Sequence, residues 1–155
     1  MPKIKPSKSD FVFINKTLYK FSKNFFKKIT HEILKETSFK KIPEFSLVLL
    51  GESDIKKINT KYRGKNKPTS VLTFPSKDFQ KIYNNGESQL GDVFLCPEYI
   101  KKEIKKSRES FKYRLTTLFI HGIMHLLGFD HEKNKDALKM EAMERKIINK
   151  LNLKT

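Results

Sequence analysis

Apolar and polar positions along the chain alternate between two rhythms. "FVFIN" (11–15) alternates weakly and suits an edge strand. From Lys16 to Glu36 the apolar residues Leu18, Phe21, Phe25, Phe26, Ile29, Ile33 and Leu34 recur at helical spacing, predicting one long helix. "FSLVLLG" (45–51) is a continuous apolar run of strand length, as in a strand buried on both faces. Ser53 is placed to cap the helix that follows it, and "TSVLTFP" (69–75) reads as a strand stopped by Pro75. A polar loop (76–90) with a turn at Asn85-Gly86 separates it from a further strand, "GDVFLC" (91–96). Pro97 opens a helix running to about Ser110. Residues 111–128 form the most apolar helix, ended by Gly128, and 136–153 form a last amphipathic helix. Four short strands among five helices predict an α+β fold: a small mixed four-stranded sheet with helices packed mainly on one side.

A chain of 155 residues is the size of one domain, taken as 11–155 behind a mobile basic tail at 1–10. No apolar run is long enough to cross a bilayer, and the N-terminus lacks the apolar stretch of a secretory signal, so a cytoplasmic location with no membrane partner is expected. A single cysteine, Cys96, excludes an internal disulfide and a cysteine-rich zinc ribbon. The net charge of +16 favours a polyanionic partner. Only four of the 33 basic residues are arginines, and the many Lys, Asn and Ile residues also fit an A+T-rich genome, so charge alone does not establish nucleic-acid binding.

Chemistry enters at "HGIMHLLGFDH" (121–131), which holds three of the four histidines. His121 and His125, four apart on a helix, present both rings on one face within reach of one ion. Gly128 can turn the chain back and deliver His131 to the same ion. Three neutral nitrogens leave one tetrahedral position open, as in catalytic zinc sites. One zinc per chain is therefore expected, with nickel or copper as possible substitutes. Asp130 and Glu132 flank His131, where either could hold a ligand ring by a hydrogen bond. His31 has no such neighbour and reads as a surface residue. The spacing matches the zinc-binding helix of metzincin proteases, but Gly122 stands where their general-base glutamate would be. Gly122 leaves room there for a bulky substrate or for a closely packed backbone.

"HGIMHLLGFDH" also resembles the signature of the YbeY family of bacterial ribosomal-RNA maturation endoribonucleases, H-G-x-L-H-L-x-G-Y-D-H. "NTKYRGKNKPTSVLTFP" (59–75) is similar to that family's N-x-x-Y-R-x-x-x-x-P-T-D-V-L-S-F-P, and "LGDVFLCPE" (90–98) and "MEAMERKII" (140–148) to its later segments. The resemblance runs from about Phe11 to the end of the chain. It implies a zinc-dependent endoribonuclease acting on single-stranded RNA, with roles in small-subunit ribosomal-RNA maturation and ribosome quality control. His121, His125 and His131 would be the ligands and Arg63 the catalytic arginine beside the metal, with Thr69 and Ser70 on the substrate side. Ser70 replaces the usual Asp and Thr73 the usual Ser. Two other readings stay open: a metal-dependent hydrolase of another substrate, such as a peptide, and a non-catalytic ribosome assembly factor whose structural zinc takes Cys96 as fourth ligand.

Overall fold

The computed structural model describes residues 11–37, 39–42, 44–76, 90–129 and 134–153. Its centre is the run Leu47–Leu50, in which alternate side chains enter two different cores. Leu47 and Leu49 join the large apolar cluster, while Val48 and Leu50 join a smaller one on the other side of the sheet. A strand with both faces covered must be apolar throughout, which accounts for the unbroken run.

That strand, β2 (Ser46–Leu49), pairs in parallel with β1 (Val12–Asn15) and with β4 (Gly91–Leu95); β3 (Val71–Pro75) lies antiparallel to β4. The order β1-β2-β4-β3 leaves β1 and β3 as edges. The five helices are α1 (Lys23–Glu36), α2 (Glu52–Arg63), α3 (Pro97–Ile104), α4 (Phe111–Leu126) and α5 (Asn134–Leu151). Phe26 and Ile33 of α1, Phe119 and Ile123 of α4, and Met140 and Ile147 of α5 fill the large cluster. Ile55 of α2 fills the smaller one with Val48, Leu50, Leu72 and Cys96. The expected α+β sheet with helices mainly on one side is therefore present, with α2 as the principal helix of the opposite face.

Several boundaries differ from the expected ones. The long helix over 16–36 starts only at Lys23, where the Ser22 hydroxyl accepts a hydrogen bond from the Phe25 N–H at 3.2 Å. Ahead of it, Asn15 Oδ1 accepts from the Thr17 N–H (2.9 Å) and the Thr17 hydroxyl (2.7 Å). These local bonds compete successfully with a helical turn and leave Leu18 fully exposed. Ser53 does not cap α2; Gly51 is the N-cap and makes no side-chain bond, so Ser53 lies within the first turn. α3 ends at Ile104, short of Ser110, and α5 begins at Asn134 rather than Asp136. The expected tail at 1–10 and the turn at Asn85-Gly86 lie outside the described residues.

Two glycines are required by the backbone. Gly128 (φ +96°) closes α4: its N–H donates to the His125 carbonyl at 3.0 Å, and the Phe129 N–H reaches back to Met124 at 3.1 Å. This is a Schellman closure, and it reverses the chain within three residues of His125. Gly91 (φ +145°) opens β4 where a side chain would collide with the Phe74 carbonyl and come within 2.9 Å of Leu126 Cδ2. Gly91→Ala combines an unfavourable φ with overpacking, so we expect a loss of about 3 kcal/mol in urea unfolding. A change below about 1 kcal/mol would show that the β3–β4 contact yields more easily than its geometry indicates.

Candidate active-site cleft

A cleft of ≈ 470 Å³ runs along the free edge of β3. Its wall on one side is the end of α2 and the following loop, which contribute Asn59, Arg63, Lys65 and Lys67. Thr69 and Val71 to Thr73 form the floor, and His121 and His125 of α4 face it from the other side. Of the expected site residues, Arg63, Thr69, His121 and His125 thus share one cleft. Ser70 is buried and outside the lining; its carbonyl accepts from the Cys96 N–H at 2.9 Å in the β3–β4 ladder. Asp130 and His131 lie outside the described residues. His31 is exposed on α1, as expected.

Each cleft residue is held by identifiable contacts. The His121 and His125 rings lie edge to face, 4.5 Å between centroids, with their Nε2 atoms 3.0 Å apart. His121 Nδ1 lies 3.1 Å from Glu144 Oε1 on α5. A carboxylate there accepts the Nδ1–H and so fixes the tautomer that turns the Nε2 lone pair towards His125. Arg63 donates from Nη2 to the Thr73 carbonyl at 2.7 Å and lays its guanidinium 5.0 Å from the centre of the Phe74 ring. Asn59, almost fully buried, donates from Nδ2 to the Lys67 carbonyl at 2.8 Å, which ties the lysine-bearing loop to α2.

The histidine pair fits a transition metal. Two ligands of one tetrahedral zinc at the usual bond length stand about 3.3 Å apart, close to the Nε2–Nε2 separation of 3.0 Å. Without metal, the same pair can share one N–H···N hydrogen bond. Among the described residues no third metal-ligating side chain joins them. Cys96 does not supply it: it is fully buried in the small cluster with Leu72 and Ile55, and burial pushes its thiol up from the ordinary value.

Comparison with known proteins gives the site its context. The family model described as Endoribonuclease YbeY matches residues 13–152. The chain belongs to the YbeY family. It is 37% identical over 139 residues to the Endoribonuclease YbeY of Bartonella henselae, covering 90% of this chain and 85% of that one. It is 42% identical over 132 residues to the protein of the same name from Buchnera aphidicola of Acyrthosiphon pisum, covering 85% and 82%. The solution structure of TM1509 from Thermotoga maritima superposes with a TM-score of 0.66 at 27% identity, covering 90% of this chain and 87% of that one.

Two features of this YbeY-family cleft are absent from the sequence reading. Glu144 sits between the buried Met140 and Ile147 at helical spacing, and an acid on the core face of an amphipathic helix is the signal that could have revealed it. Asn59 offers the same kind of signal, an amide on the Ile55 face of α2. Gly122 is resolved between its two readings: a Cβ there would stand 3.1 Å from Thr73 Cγ2 and 3.2 Å from Val93 Cγ1. The position brings helix and sheet together and gives no free space for substrate. We therefore expect Gly122→Glu to destabilise the fold by about 3 kcal/mol or more and to create no peptidase activity. A stable variant that cleaves casein would overturn this account of Gly122.

Proposed function

We propose that this endoribonuclease cuts single-stranded RNA with one zinc ion held by His121, His125 and His131. We further propose that it acts in the cytoplasm in small-subunit ribosomal-RNA maturation and in ribosome quality control. The observation that carries the reading is the pairing of His121 and His125 across one cleft from Arg63. Nickel or copper would suit the same nitrogen ligands. When bound, zinc supplies Lewis acidity towards phosphoryl oxygens.

The chain's own residues indicate how the work is divided. The described ionisable groups lining the cleft are Arg63, Lys65, Lys67 and the two histidines, with no carboxylate among them. Their contribution is to attract the phosphodiester backbone and to neutralise charge on its oxygens. Arg63 spends one N–H on the Thr73 carbonyl, which fixes the guanidinium plane and leaves the rest of its fork for phosphate. Glu144 acts from behind His121 and orients it without entering the cleft.

The direct test is purified protein on labelled single-stranded RNA, with and without a chelator, beside His125→Ala. Cleavage that needs both the metal and His125 is expected, and RNA left intact by the zinc-loaded protein would overturn the reading. Arg63→Lys keeps the charge but loses the fork. Single-turnover cleavage should fall about a hundredfold or more, while RNA affinity shifts by less than about threefold. Undiminished cleavage would take Arg63 out of the mechanism. Glu144→Gln should weaken zinc binding about ten- to a hundredfold in competition with a colorimetric chelator, and equal affinities would reduce Glu144 to a packing role.

A further inference from the structure

Tyr62 is out of keeping with the other aromatic residues of the fold. It is 60% exposed, and among the described residues every other phenylalanine and tyrosine is at least partly buried. Its exposure is not the result of a loose segment, because the ring is braced. It meets Phe74 edge to face, with centroids 5.5 Å apart, and Lys61 Nζ stands 5.2 Å from its centre. Phe74 is also the ring over which the Arg63 guanidinium lies, and it follows Thr73, whose carbonyl holds Arg63. Tyr62 and Arg63, adjacent in sequence, thus share the Phe74 ring as a support, and Arg63 also lines the cleft.

We propose that Tyr62 is a stacking platform for an unpaired nucleobase next to the phosphate engaged by Arg63. The proposal rests on the endoribonuclease reading and supplies the physical basis of its preference for single strands. A rigid exposed ring beside lysines and an arginine is the combination by which proteins hold single-stranded nucleic acid without reading sequence, since every base offers a π-face. A base inside a duplex has both faces covered by its neighbours and cannot reach the ring without being unstacked. Lys61, whose Nζ lies over the ring, adds positive charge at the platform itself.

The chain contains no tryptophan, so Tyr62→Trp places a single indole fluorophore at the platform. The probe is a single-stranded 2′-O-methyl RNA decamer, with a second decamer of equal charge carrying abasic sites throughout its centre. Binding is followed by anisotropy of an end label and stacking by the indole emission of Tyr62→Trp, on full-length protein. Quenching by the first decamer and none by the abasic one is expected. In otherwise wild-type protein, Tyr62→Ala should weaken binding of the first decamer about tenfold and abolish the difference between the two, while Tyr62→Phe restores it. Anisotropy-detected binding without any change in indole emission would overturn the proposal. So would equal affinities of Tyr62→Ala and wild type, or no binding at all. Cleavage is scored separately: base-dependent quenching in a protein that cuts no RNA would sink the nuclease reading and leave the platform standing.

Discussion

Thr73 is the point on which the site depends. Its methyl group faces the space left by Gly122 on α4, and its carbonyl accepts from Arg63 on α2. The helix that carries the histidines and the helix that carries the arginine lie on opposite faces of the sheet, and Thr73 touches both. One residue on an edge strand fixes both. The edge location is essential. Within the β3–β4 ladder the bonds at Ser70 and Ser76 direct alternate backbone groups inward, which leaves the Thr73 carbonyl on the free side where a side chain can reach it. Pro75 shares that outward phase, where its missing N–H costs no ladder bond. A helix side chain in place of a further strand therefore closes part of the edge, and the remainder is the cleft floor.

The electrostatic arrangement follows from the same geometry. Cations line the cleft, and the carboxylate of Glu144 stands behind a histidine. Placed in the cleft, an acid would repel phosphate; placed behind His121, it fixes a tautomer and stays shielded from substrate. Glu144 is mostly buried on α5, a helix otherwise docked by Met140 and Ile147. The docking of α5 consequently serves the orientation of His121 as well as stability, so a core substitution in this helix would disturb that histidine without touching it.

The parts of the fold governed by local rules are legible in the sequence. Unbroken apolar runs mark the central strands, Gly128 marks the end of α4, and the four-residue histidine spacing places two rings together. The start of α1 is not legible, because Asn15, Thr17 and Ser22 act through side-chain to backbone bonds that hydrophobic periodicity does not register. Glu144 and Asn59 stay hidden for a different reason. Their partners are 23 residues away in one case and a loop carbonyl in the other, so only the fold shows what their polar groups meet. Arg63 stands out through its motif, but its anchoring by Thr73 and Phe74 belongs to tertiary structure.

Ser70 illustrates how a departure from the family pattern can be read once the fold is known. Its carbonyl belongs to the sheet and the residue is only 8% exposed, so an Asp at this position would have to bury a charge and find a cation to offset it. The cations that line the cleft are Arg63, Lys65 and Lys67. A serine makes no demand on them. Their charge remains available to RNA, and orientation of Arg63 falls to the Thr73 carbonyl and the Phe74 ring, neither of which carries a formal charge.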